Sequence, residues 1–244
     1  EKKSFWERSS LILSLTPQTI NKTITPGFSL STEEILKRKA SEKTRLAYSL
    51  GANFRYELKN HQFVESGIMY TSLYEEVHLE GEKQFSNNYN FIEVPLLFGF
   101  QDREAKWGWF VKGGLGIQIL NLYDGYIFKQ ETIEEIAINE TQGPLYRMSA
   151  SNALNGIINP DHQLKNEQIR DEVYDLSTDE NPYKTAGVIN LHLATGLIYY
   201  CGEKTSLFAS PYYRRNINSI SKSNAIFREH ISLMGISFGT QVKF

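Results

Sequence analysis

The alternation of apolar and polar residues near the C-terminus limits most strongly how this chain can fold. In GISFGTQVKF and the residue before it, one face carries Met234, Ile236, Phe238, Val242 and Phe244. The other face carries Gly235, Ser237, Gly239, Gln241 and Lys243. Successive side chains of a strand point to opposite faces, so this period of two predicts a β-strand with one apolar face.

Seven earlier segments show the same alternation and predict seven further strands. They are SSLILSLT, RLAYSLGANFRYEL, FVESGIMYTSLY, NFIEVPLLFGF, WGWFVKGGLGIQIL, GVINLHLATGLIYY and SLFASPYYRRNI. Pro95 lies inside the fourth predicted strand, where it has no N–H to donate, and it should mark a bulge or a gap in the ladder.

The connections between these strands alternate between long and short. The long ones are about 17–43, 76–88, 121–184 and 218–229, and the short ones are KNHQ, QDREAK and CGEKT. This predicts an all-β fold, an eight-stranded antiparallel up-and-down barrel at 9–244 with long external loops. Residues 1–8 form a lead-in, and both termini lie on the short-turn side. Within 121–184 we expect two short helices, at ETIEEIAINE and DHQLKNEQIRDEVYDL.

Alternation alone does not say which face lies inside, and a soluble lipocalin-like barrel is the alternative. The polar faces are rich in Gly, Ser, Asn and Ala, which suit a narrow lumen better than a solvated exterior. A mean hydropathy of -0.39 does not exclude a membrane barrel, because alternating strands score weakly. We therefore predict a transmembrane barrel in the bacterial outer membrane, with both termini periplasmic.

Single charges on the polar faces predict a polar network inside the lumen, since interior charges need partners. The predicted members are Arg55, Glu57, Glu65, Glu93, Lys112 and His192. We interpret them as filling a closed lumen rather than as relaying protons. No cofactor or metal site is expected, because Cys201 is the only cysteine and no calcium-binding loop motif occurs.

Aromatic residues collect at the short-turn end of the predicted strands, as in the interfacial girdles of membrane barrels. The predicted girdle consists of Trp6, Tyr56, Phe100, Trp107, Trp109, Tyr199 and Phe244, with Phe5 and Tyr200 beside them.

The segments GANFRYEL-KNHQ-FVESGIMYTSL and IEVPLLF resemble the PorT-like outer-membrane β-barrel proteins of Bacteroidota. GISFGTQVKF resembles the terminal strand that the barrel-assembly machinery reads in bacterial outer-membrane proteins. The opening EKKSFWERSS is similar to the end of a linker, as in the C-terminal barrels of dual-membrane-spanning anti-sigma factors. The resemblance implies location and architecture far more than activity.

We predict a non-enzymatic anchor, sensor or interaction module of the cell envelope. Its expected partners are outer-membrane lipid, lipopolysaccharide, the barrel-assembly machinery, and an envelope protein bound through 121–184 or the N-terminal segment. Nucleic acid is not expected at a net charge of -2. The alternatives are a subunit of a larger secretion, gliding or uptake complex, and an outer-membrane lipid hydrolase or acyltransferase.

Two groups of residues keep alternative interpretations open. His230, near Ser219, Ser221 and Ser223, or His192 would serve the enzyme alternative, but no G-x-S-x-G motif is present. Arg214 and Arg215 fit either a lipopolysaccharide phosphate or a lumen ion pair.

Overall fold

The computed structural model describes residues 4–26, 36, 42–78, 84–134, 167–175, 181–223, 225 and 227–244. A short 3-10 turn at Trp6–Arg8 precedes the first strand. The strands are β1 Ser9–Pro26, β2 Glu42–Glu57, β3 Gln62–His78, β4 Gln84–Glu104, β5 Trp107–Asp124, β6 Tyr126–Glu134, β7 Glu167–Asp175, β8 Val188–Tyr200, β9 Thr205–Asn216 and β10 Phe227–Lys243. No helix in the described ranges has the length and apolar character needed to cross a membrane.

Eight of these strands close into an antiparallel barrel in the order β1-β10-β9-β8-β5-β4-β3-β2. The last strand pairs with the first from Ser10 opposite Lys243 to Pro26 opposite Phe227. This closure leaves no free strand edge, which a bilayer requires because lipid cannot satisfy open backbone groups. The prediction of an eight-stranded up-and-down barrel is confirmed.

Along the membrane-spanning part of the strands, the apolar faces point outward and the polar faces point into the lumen. Nearer the external end, inward residues such as Leu73 and Phe91 form a buried apolar cluster. Leu50, Leu96 and Met234 are exposed on the outside, whereas Glu65 and Glu93 have no exposed surface. A water-soluble barrel requires the reverse, because charged side chains belong in water and large apolar side chains in the core. The outer face is therefore a lipid-facing belt.

The strands extend beyond the predicted bounds at the external end, which is the end opposite the termini. The predicted loop 17–43 begins inside β1, which continues to Pro26, and ends just inside β2. The predicted loops 76–88, 121–184 and 218–229 are likewise shortened by the ends of β3, β4, β5 and β10. These extensions were missed because the pattern inverts above the belt, where outward residues such as Thr23 are polar and inward residues such as Leu73 and Tyr89 belong to a buried apolar cluster.

The two helices predicted inside 121–184 are wrong wherever the structure describes those residues. Residues 126–134 and 167–175 form strands β6 and β7, which pair as a separate two-stranded sheet. Residues 128–173 form a compact unit of their own, inserted in the chain between two barrel strands. Both segments contain apolar residues at mixed spacing, and pairing between the two strands overrides their local helix propensity.

The periplasmic turn after β2 follows directly from its residues. Asn60 and His61 both have positive φ, at 55° and 63°. Two consecutive positive φ values define the tight hairpin turn whose twist matches that of the strands. The ladder between β3 and β4 is interrupted opposite Pro95, where the Ser66 hydroxyl donates to the Pro95 carbonyl at 2.8 Å.

Candidate functional site: the charged lumen

Glu65 on β3 is the centre of the first charged cluster in the lumen. Its Oε2 accepts from Arg55 Nη2 at 2.9 Å, and its Oε1 accepts from Lys112 Nζ at 2.7 Å. Asn53 Nδ2 donates a further bond to Oε1 at 2.8 Å. Glu65 is fully buried and Arg55 is 3% exposed. A carboxylate removed from water in this way is stable only because several donors replace its hydration.

Glu93 on β4 is the centre of the second cluster. Its Oε2 accepts from Asn190 Nδ2 at 2.8 Å and from Arg214 Nη1 at 3.0 Å. Its Oε1 contacts His192 Nε2, and His192 Nδ1 lies 2.6 Å from the Tyr212 hydroxyl. The imidazole therefore bridges the Glu93 carboxylate and the Tyr212 hydroxyl.

Two contacts cross the full width of the lumen. Arg214 Nη1 donates to Thr71 Oγ1 at 3.0 Å, and the Tyr212 hydroxyl lies 3.7 Å from the sulfur of Met69. Arg214 and Tyr212 are on β9, whereas Thr71 and Met69 are on β3. These two strands are four positions apart in either direction around the eight-stranded barrel. Side chains from opposite walls therefore meet at the barrel axis.

Gly116 on β5 makes space for the second cluster. A Cβ at this position would overlap the Glu93 carboxylate and the His192 ring. Gly116 faces the lumen and is paired with Pro95 of β4 and Asn190 of β8. A glycine in a strand interior weakens the strand, and here the close approach of the Glu93–His192 pair explains it.

The space left around these clusters is small. A cavity of about 30 Å³ lies among Lys112, His192, Asn53, Ser210 and Thr16. That volume accommodates one or two water molecules. At this level the described residues therefore fill the lumen with side chains rather than leaving a channel.

A third charged cluster lies nearer the external end. Lys22 Nζ donates to both oxygens of Glu75, at 2.9 and 2.8 Å, and lies 3.3 Å from Glu229 Oε1. The Tyr89 hydroxyl donates to Glu75 at 3.0 Å, and the Tyr183 hydroxyl donates to Glu229 at 2.9 Å. Both carboxylates are fully buried.

A cap formed by residues 182–187 and 219–222 covers this cluster. The backbone N–H of Lys184 donates to the Ile220 carbonyl at 2.8 Å, and that of Lys222 donates to the Pro182 carbonyl at 2.7 Å. Tyr183 is fully buried and stacks on Tyr123 at a centroid distance of 4.6 Å. The cap therefore places the Tyr183 ring over the external end of the charged lumen.

The periplasmic end has an apolar layer and an open vestibule. Phe63, Phe110, Ala194 and Ile198 form a buried cluster, and the Arg55 guanidinium lies 3.8 Å from the centroid of the Phe63 ring. Beyond this layer is a polar vestibule of about 350 Å³.

The structure places five of the six predicted lumen residues in the two central clusters. Glu57 lies outside them. It pairs with Lys243 at 2.8 Å in the vestibule, where the two side chains are 24% and 30% exposed. Glu57 is at the last position of β2, so it reaches the periplasmic mouth rather than the interior.

Several residues of the lumen were not identified from the sequence. Lys22 and Glu229 lay in the segments 17–43 and 218–229 that were interpreted as loops, and Glu75 lay just beyond the end of the third predicted strand. The alternation of Ile20, Lys22 and Ile24 with Asn21 and Thr23 is the signal that could have extended β1. Asn53, Asn190 and Tyr212 gave no signal beyond their position on a polar face.

The predicted aromatic girdle lies around the outside of the periplasmic end. Phe5 stacks on Tyr56 at 5.1 Å, Trp6 meets Phe244 edge to face at 5.8 Å, and Trp107 contacts Tyr199 at 5.0 Å. Phe100 and Trp109 are also in contact, with their centroids 5.5 Å apart. Tyr200 is different, because its ring packs on the inner face against the buried apolar cluster.

The residues of the enzyme alternative are engaged in other contacts. Ser219 Oγ accepts from the N–H groups of Ser221 and Glu229 at 3.0 Å and donates to the Glu229 carbonyl at 3.1 Å. His230 Nδ1 lies 3.4 Å from the Asn216 carbonyl. Among the contacts of described residues, none joins a serine hydroxyl to His192 or His230.

No group of three or more metal-ligating side chains suited to a metal ion occurs in the described part of the chain. The carboxylates of Glu65 and Glu93 already accept hydrogen bonds from lysine, arginine and amide N–H groups, and the fixed positive charges among these donors repel a metal ion. The arrangement therefore favours neutralisation of buried charge within the protein itself.

Comparisons with known proteins add little to this description. No protein-family model matches the chain, and no curated protein matches it. Among solved structures, Neisserial surface protein A is 12% identical, with 97% of this chain and 96% of that chain covered and a TM-score of 0.42. OprG of Pseudomonas aeruginosa is 10% identical, with coverages of 97% and 95% and a TM-score of 0.46. Ail of Yersinia pestis, in complex with sucrose octasulfate, is 9% identical, with coverages of 95% and 98% and a TM-score of 0.33.

The barrel itself assigns the class of protein. A closed eight-stranded antiparallel sheet, an apolar outer belt and an aromatic girdle together define a transmembrane β-barrel of the bacterial outer membrane. Both termini lie at the end with the short turns, which is the periplasmic end in such barrels.

Proposed function

We propose that this protein is a non-enzymatic, non-conducting barrel that anchors interaction segments in the outer membrane. The interaction segments are the insertion 126–175, between β5 and β8, and the N-terminal segment before β1. In this proposal the barrel fixes their position in the envelope, and a protein partner binds one of them. The proposal covers an anchor as well as a sensor that reports on the state of the envelope.

The bond between Arg214 and Thr71 is the observation that carries this proposal. It joins opposite walls of the barrel at the level of the Glu93 cluster. Three fully buried carboxylates, Glu65, Glu93 and Glu75, are each held by donors from other strands. Opening a water path requires breaking bonds to buried charges, and each such break costs about 3–5 kcal/mol. Transport through the lumen is therefore disfavoured, and function is assigned to segments outside it.

Planar bilayer recordings test the non-conducting part of the proposal. We expect the folded protein to give no discrete conductance steps, under conditions in which a general porin does. Regular single-channel steps from the purified, folded protein would contradict the proposal.

Replacing residues 126–175 by a short linker tests the anchoring part. We expect the variant to remain a folded, heat-modifiable barrel and to lose protein cross-links that the intact chain forms in cells. A second variant removes only the lead-in before β1, which is the other proposed interaction segment, and shows which of the two segments binds the partner. If neither variant loses any cross-link, the anchoring role is wrong even when the barrel shows no conductance in planar bilayers.

A more specific version makes this chain the barrel of a dual-membrane-spanning anti-sigma regulator of the PorT-like kind. The support is the resemblance of the β2–β3 hairpin and of the EKKSFWERSS opening. The gene sequence upstream of Glu1 decides between the anti-sigma regulator and a barrel that is anchored without such a regulator segment. An inner-membrane helix and a cytoplasmic segment upstream would agree with it, and an ordinary signal peptide directly before Glu1 would remove it.

The insertion also supports a second candidate, a subunit of a larger envelope complex. Residues 128–173 form a compact unit of their own, which suits docking to another protein. Native purification in mild detergent distinguishes the two candidates. Stable co-purifying proteins favour the complex, and a monomer favours the anchor or sensor.

The lipid-enzyme alternative is tested by His192→Ala and His230→Ala variants, for which we expect unchanged lipid profiles.

A further inference from the structure

The barrel wall is closed within the lipid-facing belt, but above the belt it opens between β1 and β2. β1 pairs with β2 only from Ser9 to Gln18, whereas its pairing with β10 continues to Pro26. The ladder between β2 and β3 has a bulge between Thr44 and Ala47, and a bulge bends the strand that carries it. β2 therefore turns away from β1, and above Gln18 β10 is the only described strand that pairs with β1.

The backbone groups of Ile20 and Ile24 point into this opening. The Ser9 carbonyl accepts from the Phe244 N–H at 3.2 Å, so Ser9 directs its backbone groups towards β10. In an antiparallel ladder every second residue does the same, and the residues between them face the other neighbour. The register between β1 and β10 is constant, so the even-numbered residues of β1 face β2. Among the described residues, no backbone group of another strand pairs with Ile20 or Ile24 on that side.

The open edge has a polar outer face and an apolar inner face. Asn21, Thr23 and Thr25 are exposed on the outside of β1, which places this stretch above the hydrocarbon, where water can meet free backbone groups. On the inside, Ile24 belongs to a buried apolar cluster and Ile20 packs against it. A strand added beside β1 therefore meets polar groups outward and apolar side chains inward.

The charge beside the open edge is positive. Arg228 of β10 lies opposite Thr25, one strand away from the edge, and it is exposed. It forms no ion pair with any described residue. Above the belt, the described outward side chains of β1 and β10 include Arg228 and His230 and no acidic residue. This distribution favours an added strand that carries an acidic residue on its outward face.

A second copy of the barrel does not fit this edge. The strands of such barrels are tilted by about 40° from the membrane normal, so the β1 strands of two upright copies that face each other cross at about 80°. Strands form a ladder only when they run nearly parallel or antiparallel. The edge therefore suits a segment that is free to align with β1.

We propose that β1 accepts an added strand above the belt from an extended, acidic segment of another protein. In this mode of recognition the main-chain hydrogen bonds provide affinity, and alternate side chains provide specificity. The backbone groups of Ile20 and Ile24 form the main-chain bonds, and Arg228 contacts the acidic residue. This surface belongs to the barrel wall, so it is separate from the insertion and the lead-in on which the proposed function rests.

Amide hydrogen exchange of the folded protein in detergent, followed by NMR, tests the strand addition. Without a ligand, the amides of Ile20 and Ile24 should exchange at least about 10-fold faster than those of Asn21 and Thr23, which face β10. The probe is a short synthetic peptide that alternates valine with threonine, with one threonine replaced by glutamate. It should slow exchange at Ile20 and Ile24 at least about 10-fold and leave Asn21 and Thr23 unchanged. The same peptide with N-methylated backbone nitrogens should have no effect.

Three results would overturn the proposal. Equally slow exchange at all four residues without the peptide would show that this chain covers its own edge. Protection that rises with protein concentration alone would indicate a second copy. Equal protection by the N-methylated peptide would show that the contact is not a strand ladder.

Two arginine variants test the acidic character of the added strand. Arg228→Ala should weaken binding of the glutamate peptide at least about 3-fold, and Arg215→Ala should weaken it less than about 1.5-fold. Arg215 is the matched control because it is exposed on β9, opposite Ser232 and two strands away from the edge. Equal effects of the two substitutions would show that the acidic residue is not recognised. The variant that lacks residues 126–175 should bind the peptide as the intact chain does, so this site and the anchoring role can fail independently.

Discussion

Arg214 and Arg215 are neighbours in the chain but lie on opposite sides of the barrel wall. Arg214 donates to Glu93 in the lumen at 3.0 Å and is 3% exposed, whereas Arg215 faces outward. From the sequence alone, the two arginines could contact either a lipopolysaccharide phosphate or an acidic side chain in the lumen. The structure assigns the lumen ion pair to Arg214 and places Arg215 on the outer face of the barrel.

This difference predicts unequal effects of one substitution. Arg214→Leu should lower the free energy of unfolding by about 3 kcal/mol, because the Glu93 carboxylate loses a buried partner. Arg215→Leu should change it by less than about 1 kcal/mol, because the side chain is exposed. Urea unfolding in lipid vesicles, followed by tryptophan fluorescence, measures both. Similar losses for the two variants would show that the Arg214–Glu93 pair does not stabilise the barrel.

Glu65 should be much more sensitive to substitution than Glu57. Glu65→Gln keeps the shape of the side chain but removes the charge that faces Arg55 and Lys112, so we expect a loss of about 3 kcal/mol or more. Glu57→Gln weakens a partly exposed pair with Lys243 and should cost less than about 1 kcal/mol. The same unfolding measurement applies. A Glu57 effect equal to that of Glu65 would contradict the placement of the buried network.

Gly116 should not tolerate even one added methyl group. Gly116→Ala forces the Glu93 carboxylate and the His192 ring to move, and we expect a loss of about 1–3 kcal/mol. Gly202 in a periplasmic turn is the matched control, since a Cβ there would meet no atom within 4 Å. For both variants, the folded fraction at an intermediate urea concentration is measured by heat modifiability on a gel. Equal folded fractions for the two variants would argue against close packing around Gly116.

The contact between Trp6 and Phe244 should stabilise the seam where the barrel closes. A double-mutant cycle of Trp6→Ala and Phe244→Ala should give a coupling energy of about 0.5–1.5 kcal/mol, as for other edge-to-face aromatic pairs. Trp107→Ala with Phe244→Ala is the control cycle, because Trp107 contacts Tyr199 on another part of the girdle. Strictly additive effects of Trp6 and Phe244 would show that their contact contributes nothing to closure.

The sequence by itself determined the number of barrel strands, their approximate positions, and the face of each strand that meets lipid. Period-two alternation is a local property, so it can be read without knowing which strands pair. The same property explains the missed strand ends. Above the belt the alternation inverts, because outward residues such as Thr23 and Thr25 are polar while inward residues such as Ile24 pack in a buried apolar cluster. The predicted strands therefore end too early.

Only the tertiary structure decided which charges meet. Thr71 and Arg214 are 143 residues apart in the chain, and they touch because closure places β3 opposite β9. The stagger of neighbouring strands then sets the depth of each inward residue, which brings Glu65 to Lys112 and leaves Glu57 at the mouth. Partner choice across a lumen depends on closure and stagger together, and neither is a property of any single strand.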